Sequence, residues 1–98
     1  VSTSFGHTGY TLAPAGVRVN AVCPNDVDTP MLRGQAESTP DPDAYLARLL
    51  ALQPGGPGRA RFIRPEEVAA AIAFLASPEA EPITGACLPI DWGATAGY

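Results

Sequence analysis

Lysine is missing altogether: all six basic residues among the 98 are arginine. Schiff-base chemistry, a phosphate-loop lysine and a Tyr-x-x-x-Lys proton relay are therefore excluded for the chain's own side chains. Histidine occurs once, at His7, with no cysteine or histidine at ligand spacing, so no metal site is expected. Positive charge is scarce, with six basic residues against ten acidic ones and a formal net charge of -4. There is no basic stripe and no aromatic run at stacking spacing, which argues against a nucleic-acid partner. The longest lightly charged stretch, Val68 to Ser77, has ten residues; a membrane-spanning helix needs about 20, so none is expected. The two cysteines, Cys23 and Cys87, lie in apolar runs and form no Cys-x-x-Cys pair. They read as free, buried and reduced thiols, and with no signal peptide in view they point to a cytoplasmic protein.

What is present suits one small globular unit. Hydrophobic residues make up 46% of the chain, too many for a disordered acidic tail. A chain of this size buries roughly 60–65% of its unfolded surface, so the core is expected to be thin. Residues 1–16 carry Ser, Thr and Gly in every period and predict no helix. Val17 to Cys23 is β-branched and apolar on both faces, as a strand of a parallel sheet between helices would be, and Pro24 ends it. Residues 24–40 read as a Pro/Asp/Thr-rich loop. Asp41 and Pro42 then open an amphipathic helix to about residue 52, which the run Pro54-Gly55-Gly56-Pro57-Gly58 breaks. The clearest helix covers 65–76, with Pro65 in its first turn, Glu66 and Glu67 at its positive end, and Val68, Ile72, Leu75 and Ala76 on one stripe. Cys87 to Ile90 is a short last strand whose Pro89 suits a sheet edge. The excursion over residues 24–63 follows the carboxyl end of a parallel strand, which is where doubly wound folds bind ligands.

The string from Gly16 through Val17-Arg18-Val19-Asn20-Ala21-Val22-Cys23-Pro24 to Met31 resembles the sixth strand and following loop of the short-chain dehydrogenase/reductase family. Arg64-Pro65-Glu66-Glu67-Val68, with Phe74-Leu75-Ala76-Ser77, resembles that family's penultimate segment. Ile83-Thr84-Gly85 and Leu88-Pro89-Ile90-Asp91 resemble its closing strand. The resemblance covers residues 12–95. It implies an α/β fold, the carboxyl-terminal part of a Rossmann-type doubly wound parallel sheet, with residues 1–98 as a partial domain. It also implies NAD or NADP as cofactor and hydride transfer between an alcohol and a carbonyl. The family's Pro-Gly-x-Val-x-Thr loop stands here as Pro24-Asn25-Asp26-Val27-Asp28-Thr29. By that correspondence Pro24, Asn25, Val27 and Thr29 line the cofactor site, with the Val27 backbone and the Thr29 hydroxyl on the nicotinamide carboxamide. Read without the family, Thr29-Pro30 is a plain cap-and-proline helix start.

Met31, Leu32, Leu49 and Phe62 are the candidate substrate-lining residues of the excursion. Asn25 replaces the family's usual glycine, and asparagine tolerates a left-handed backbone better than most residues. Trp92 replaces another glycine, in the closing Asp-Gly-Gly, and reads best as a ring packed against the chain end. No Gly-rich cofactor turn is present; the family's Tyr-x-x-x-Lys pair is expected before residue 1, and Tyr10 reads as a packing residue. No catalytic residue is therefore expected in these 98 positions, and the isolated chain is expected to be inactive and marginally stable or associating. A homo-oligomer through helix 65–76 and strand 87–90 is the expected assembly, with a small alcohol or carbonyl as substrate. Two readings from other classes stay open: a non-enzymatic module that docks on a homologous dehydrogenase, and a gene remnant.

Overall fold

The computed structural model describes residues 3–54 and 61–97. In chain order these form α1 (Thr3–Leu12), β1 (Ala21–Pro24), α2 (Pro30–Glu37), α3 (Pro42–Ala51), α4 (Pro65–Ala76) and β2 (Cys87–Ile90). α3 ends at Ala51, ahead of the breaking run expected over Pro54 to Gly58, of which only Pro54 lies among the described residues. The two strands pair in parallel, with Ala21 opposite Cys87 and Pro24 opposite Ile90. A parallel pair needs a long crossover. Here α2, α3 and α4 supply it, and α4 packs back on β1.

Helix α1 corrects the expectation of no helix before residue 16. Gly6 and Gly9 lower its intrinsic propensity, but they let its backbone lie against Gly85. A Cβ at Gly9 would sit 2.7 Å from the Gly85 nitrogen. Close packing decides for the helix where propensity does not. Tyr10, expected to pack, is 78% exposed, and among the described residues its ring stacks on His7. Helix α2 likewise falls inside the segment read as loop. Thr29 caps it, its Oγ1 accepting from the Leu32 N–H at 3.3 Å, and Pro30 opens it.

β1 begins four residues later than expected. Over Arg18 to Asn20 the extended chain runs beside residues 83–86, but side chains make several of the bonds. Asn20 Oδ1 accepts from the Ala86 N–H at 3.0 Å, and Val19 N–H donates to Thr84 Oγ1 at 3.2 Å. The Arg18 guanidinium donates to the Leu75 and Ile83 carbonyls, tying α4 to this edge.

The cysteines are not free thiols. Cys23 and Cys87 are bonded to each other, with their Cα atoms 6.7 Å apart. The register explains it. Cys23 stands opposite Pro89, two positions from Cys87, and residues two apart on a strand share a face. The 64 residues between them hide that neighbourhood from any local reading.

The core is small: Leu32, Ala36, Ile63 and Ala80 are the buried hydrophobic residues among those described. The accessible surface is 6668 Å², against about 5,300 Å² for a compact monomer of this mass. Large hydrophobic residues stay exposed on several elements: Tyr10 on α1, Met31 on α2, Leu52 after α3, and Ile72 and Phe74 on α4.

Candidate functional site

The loop that leaves the carboxyl end of β1 is held on both flanks. Asn25 N–H donates to the Ile90 carbonyl at 3.0 Å, extending the β1–β2 ladder by one residue. Asn25 needs no left-handed backbone: Trp92 is the one non-glycine residue with positive φ among those described. The glycine-to-asparagine change is therefore free of backbone strain. Next, Val27 forms a parallel bridge with Ile63, in which Ile63 N–H donates to the Asp26 carbonyl at 3.0 Å and Asp28 N–H to the Ile63 carbonyl at 2.8 Å. Ile63 is only 4% exposed, so this pairing is anchored in the core.

That bridge uses the flanking residues' peptide groups and leaves Val27's own. Its N–H and C=O make no hydrogen bond among the described residues. One donor and one acceptor thus stand side by side on the free edge of a fixed backbone. Thr29 follows two residues on. Its hydroxyl oxygen accepts from Leu32 N–H as the α2 cap, and its proton remains to be donated. The cap role and a ligand role are compatible. A carboxamide oxygen has two lone pairs for these two donors, and its nitrogen can donate to the Val27 carbonyl.

The aspartates that flank Val27 each have a partner. Asp28 takes both branches of the Arg33 guanidinium, at 2.9 and 3.0 Å. That bidentate bond holds its carboxyl below the usual carboxylate range. Asp26 accepts from Gln53 Nε2 at 3.2 Å; Gln53 is 5% exposed, and its Oε1 has no partner among the described residues. Ile63, Gln53 and the Asp28–Arg33 pair all support the loop and escaped the sequence reading. Only the pairing of residues 26–28 with 63 brings them together.

The four candidate substrate residues occupy different environments. Met31 is 75% exposed on the first turn of α2, whereas Leu32 is 7% exposed and packs inward. Leu49 is half-buried on α3. Phe62 lines a groove of about 450 Å³ together with Leu46, Leu50, Asp28, Arg33 and Arg64. Of the four, Phe62 alone lines that groove.

Trp92 belongs to the support of the same loop. Its backbone is left-handed, φ 59°, a conformation costing a non-glycine residue about 1 kcal/mol or more. Its indole N–H donates to the Arg61 carbonyl at 3.1 Å, and the Arg61 guanidinium lies 5.3 Å from the ring centroid. Arg61 in turn forms a bidentate pair with Glu67 at 2.6 and 2.8 Å. The pair, with the Arg64 N–H second, holds the Glu67 carboxyl down at about 2. Asp91 is buried and accepts from the Thr95 hydroxyl and from the Thr95 and Gly93 amides. Those bonds, the Thr95 hydroxyl first, lower its pKa and fix the turn that carries Trp92. Among the described residues no group of three or more His, Cys, Asp or Glu side chains could hold a metal ion, and no helix is long and apolar enough to cross a membrane.

Residues 3–95 match the family described as enoyl-(acyl carrier protein) reductase. The chain is 48% identical over 86 residues to cis-4-hydroxycyclohexanecarboxylate dehydrogenase of Sinomonas cyclohexanicum, an alignment covering 88% of this chain and 30% of that protein. It is 47% identical to meso-2,3-butanediol dehydrogenase of Serratia marcescens, covering 83% of this chain and 28% of the relative. Among solved structures it superposes on Cj0485 dehydrogenase with a TM-score of 0.84 at 31% identity, over 93% of this chain and 34% of that one. Thermoplasma acidophilum aldohexose dehydrogenase gives 0.79 at 38% identity, over 95% and 36%. The chain thus spans about a third or less of the length of these relatives. Dehydrogenases of this kind generally use NAD or NADP. With its Rossmann-type α/β arrangement, the chain belongs to the short-chain dehydrogenase/reductase family of oxidoreductases and corresponds to that family's carboxyl-terminal portion.

Proposed function

We propose that this chain is the nicotinamide-side portion of an NAD(P)-dependent dehydrogenase that interconverts an alcohol and a carbonyl. The observation that carries the reading is the unpaired N–H and C=O of Val27, held beside the Thr29 hydroxyl by the Ile63 bridge. In this reading Val27 N–H and the Thr29 hydroxyl would donate to the carboxamide oxygen, and Val27 C=O would accept from its nitrogen. Pro24 and Asn25 set the distance of the loop from the sheet. When bound, the nicotinamide would supply the hydride chemistry, and Val27 and Thr29 of this chain would hold its carboxamide. Helices α2 and α3 stand over the substrate side, with Met31 offered to a small alcohol or carbonyl.

The proton relay that the family draws from a tyrosine and a lysine comes from outside these 98 residues, which hold no lysine. The isolated chain is accordingly inactive. An accessible surface of 6668 Å², about 1,400 Å² above that of a compact monomer, fits a chain that packs against further structure. The rest of the Rossmann sheet covers the groove lined by Arg18, Ala21, Val22, Ile72 and Leu75. Exposed Phe74 on α4 and Leu88 on β2 suit a homo-oligomer contact. The same surface supports a second reading, docking of this chain on a separate homologous dehydrogenase. A mixing experiment at micromolar concentration decides it: a complex supports docking, and none rules it out.

The test of the main reading is Thr29→Val in a dehydrogenase that carries this chain as its carboxyl-terminal part. Losing one hydrogen bond to bound cofactor should raise the KM for NAD(H) or NADP(H) by about 2- to 10-fold. An unchanged KM in a folded variant would reject the assignment.

A further inference from the structure

Cys23 is the third residue of β1 and Cys87 the first of β2. Their Cα separation of 6.7 Å lies within the span that a disulfide bridges without backbone movement. Both residues are only half-buried, so a small thiol or disulfide reagent can reach them. The position is what gives the bond consequence. One residue beyond Cys23 begins the Pro24–Thr29 loop, whose own tie to β2 is the Asn25 N–H to Ile90 bond. The sulfur bridge closes a segment of 64 residues that includes α2, α3 and α4. Among the described residues, opening it leaves the end of β1 tied to β2 by the four-residue parallel ladder and the Asn25 N–H to Ile90 bond.

We propose that Cys23–Cys87 is a reversible redox clasp on the root of this loop. In the dithiol state, the thiolate of one cysteine attacks a disulfide oxidant of the glutathione class. One glutathione thiol leaves, and a mixed disulfide forms. The second cysteine then displaces the other glutathione and closes the bridge. The two protein thiols lose two electrons and two protons, and one oxidised glutathione becomes two reduced ones. Excess reduced glutathione runs the exchange backwards. The clasp stands independently of the cofactor assignment. Its bearing on nicotinamide binding rests on that assignment, which the Thr29→Val measurement tests separately.

The experiment uses the dehydrogenase that carries this chain as its carboxyl-terminal part, equilibrated with reduced or oxidised glutathione, alkylated with iodoacetamide, digested, and weighed at the peptides that contain Cys23 and Cys87. The oxidised sample is expected to take up no alkyl group and no glutathione, and to have lost two hydrogens in mass; the reduced sample takes up two alkyl groups. The oxidised form should melt about 10 °C or more above the reduced form. Amide exchange over residues 25–29 should slow on oxidation. Cys87→Ser, treated the same way, should carry one glutathione on Cys23. Two alkylatable thiols after oxidation, or two bound glutathiones in place of the bridge, would overturn the proposal. So would a bridge that leaves exchange over residues 25–29 unchanged.

Discussion

Gly9→Ala and Gly6→Ala, three residues apart on α1, are expected to shift stability in opposite directions. A Cβ at Gly9 would lie 2.7 Å from the Gly85 nitrogen, 2.7 Å from Thr84 Oγ1 and 3.0 Å from the Gly85 Cα. Two of those three atoms are backbone. Gly85 cannot readily move aside, because its φ is 73° and its N–H donates to the Val19 carbonyl at 2.7 Å. Forced overpacking of this kind costs about 1–3 kcal/mol, and backbone neighbours place it in the upper part of that range. Alanine regains about 1 kcal/mol of helix propensity. The net destabilisation is about 1–2 kcal/mol, or roughly 5–15 °C in Tm for a domain of this size. At Gly6 the new Cβ would meet only the Gly85 carbonyl oxygen, at 3.5 Å, an ordinary contact. There the propensity gain stands alone, and Tm should rise by up to about 4–8 °C. Thermal melts of both variants by circular dichroism check the pair. Equal shifts of the same sign would refute the claim that close approach to Gly85 holds α1 in place.

At position 92, alanine should destabilise more than glycine, by about 1 kcal/mol: both lose the indole bond to Arg61, but only alanine keeps the cost of φ 59°. Urea titration of the two variants measures it, and equal midpoints would contradict it. Acid stability should depend on Glu67. Its folded-state pKa is lowered from 4.5 to about 2, so its contribution is complete above about 4.5 and is lost as pH falls through that interval toward 2. Asp28 and Asp91 are shifted in the same direction. Glu67→Gln should therefore flatten the acid limb of a Tm-against-pH curve, and coincident curves for variant and parent would dispose of the ion pair's role.

Several elements could be read from local chemistry because local chemistry determines them. Pro65, Glu66 and the alanine-rich stripe define α4, and the helix runs over Pro65–Ala76 as expected. Asp41 and Pro42 start α3, and Asp41 Oδ1 does accept from Ala44 N–H. β2 covers Cys87–Ile90. The features that escaped depend on partners distant in sequence. α1 exists because of Gly85, β1 is shortened because Asn20 satisfies Ala86 and Ile83, and Cys23 meets Cys87 through the parallel register. The same holds at the site. Thr29 was legible both as a cap and as a ligand group, whereas the free peptide groups of Val27 become visible only once Ile63 is paired beside them. Trp92 was legible as an anomaly, but its purpose, holding the Arg61 carbonyl, lies 31 residues away.

The most direct measurement is NAD(H) and NADP(H) binding to a chimera in which this chain replaces the corresponding carboxyl-terminal part of meso-2,3-butanediol dehydrogenase, its 47%-identical relative. A chimera that melts cooperatively should bind one of the two cofactors, and Thr29→Val should weaken that binding by about 2- to 10-fold. A cooperatively melting chimera that binds neither, or binds as well with valine at position 29, would contradict the assignment of Val27 and Thr29 to the nicotinamide.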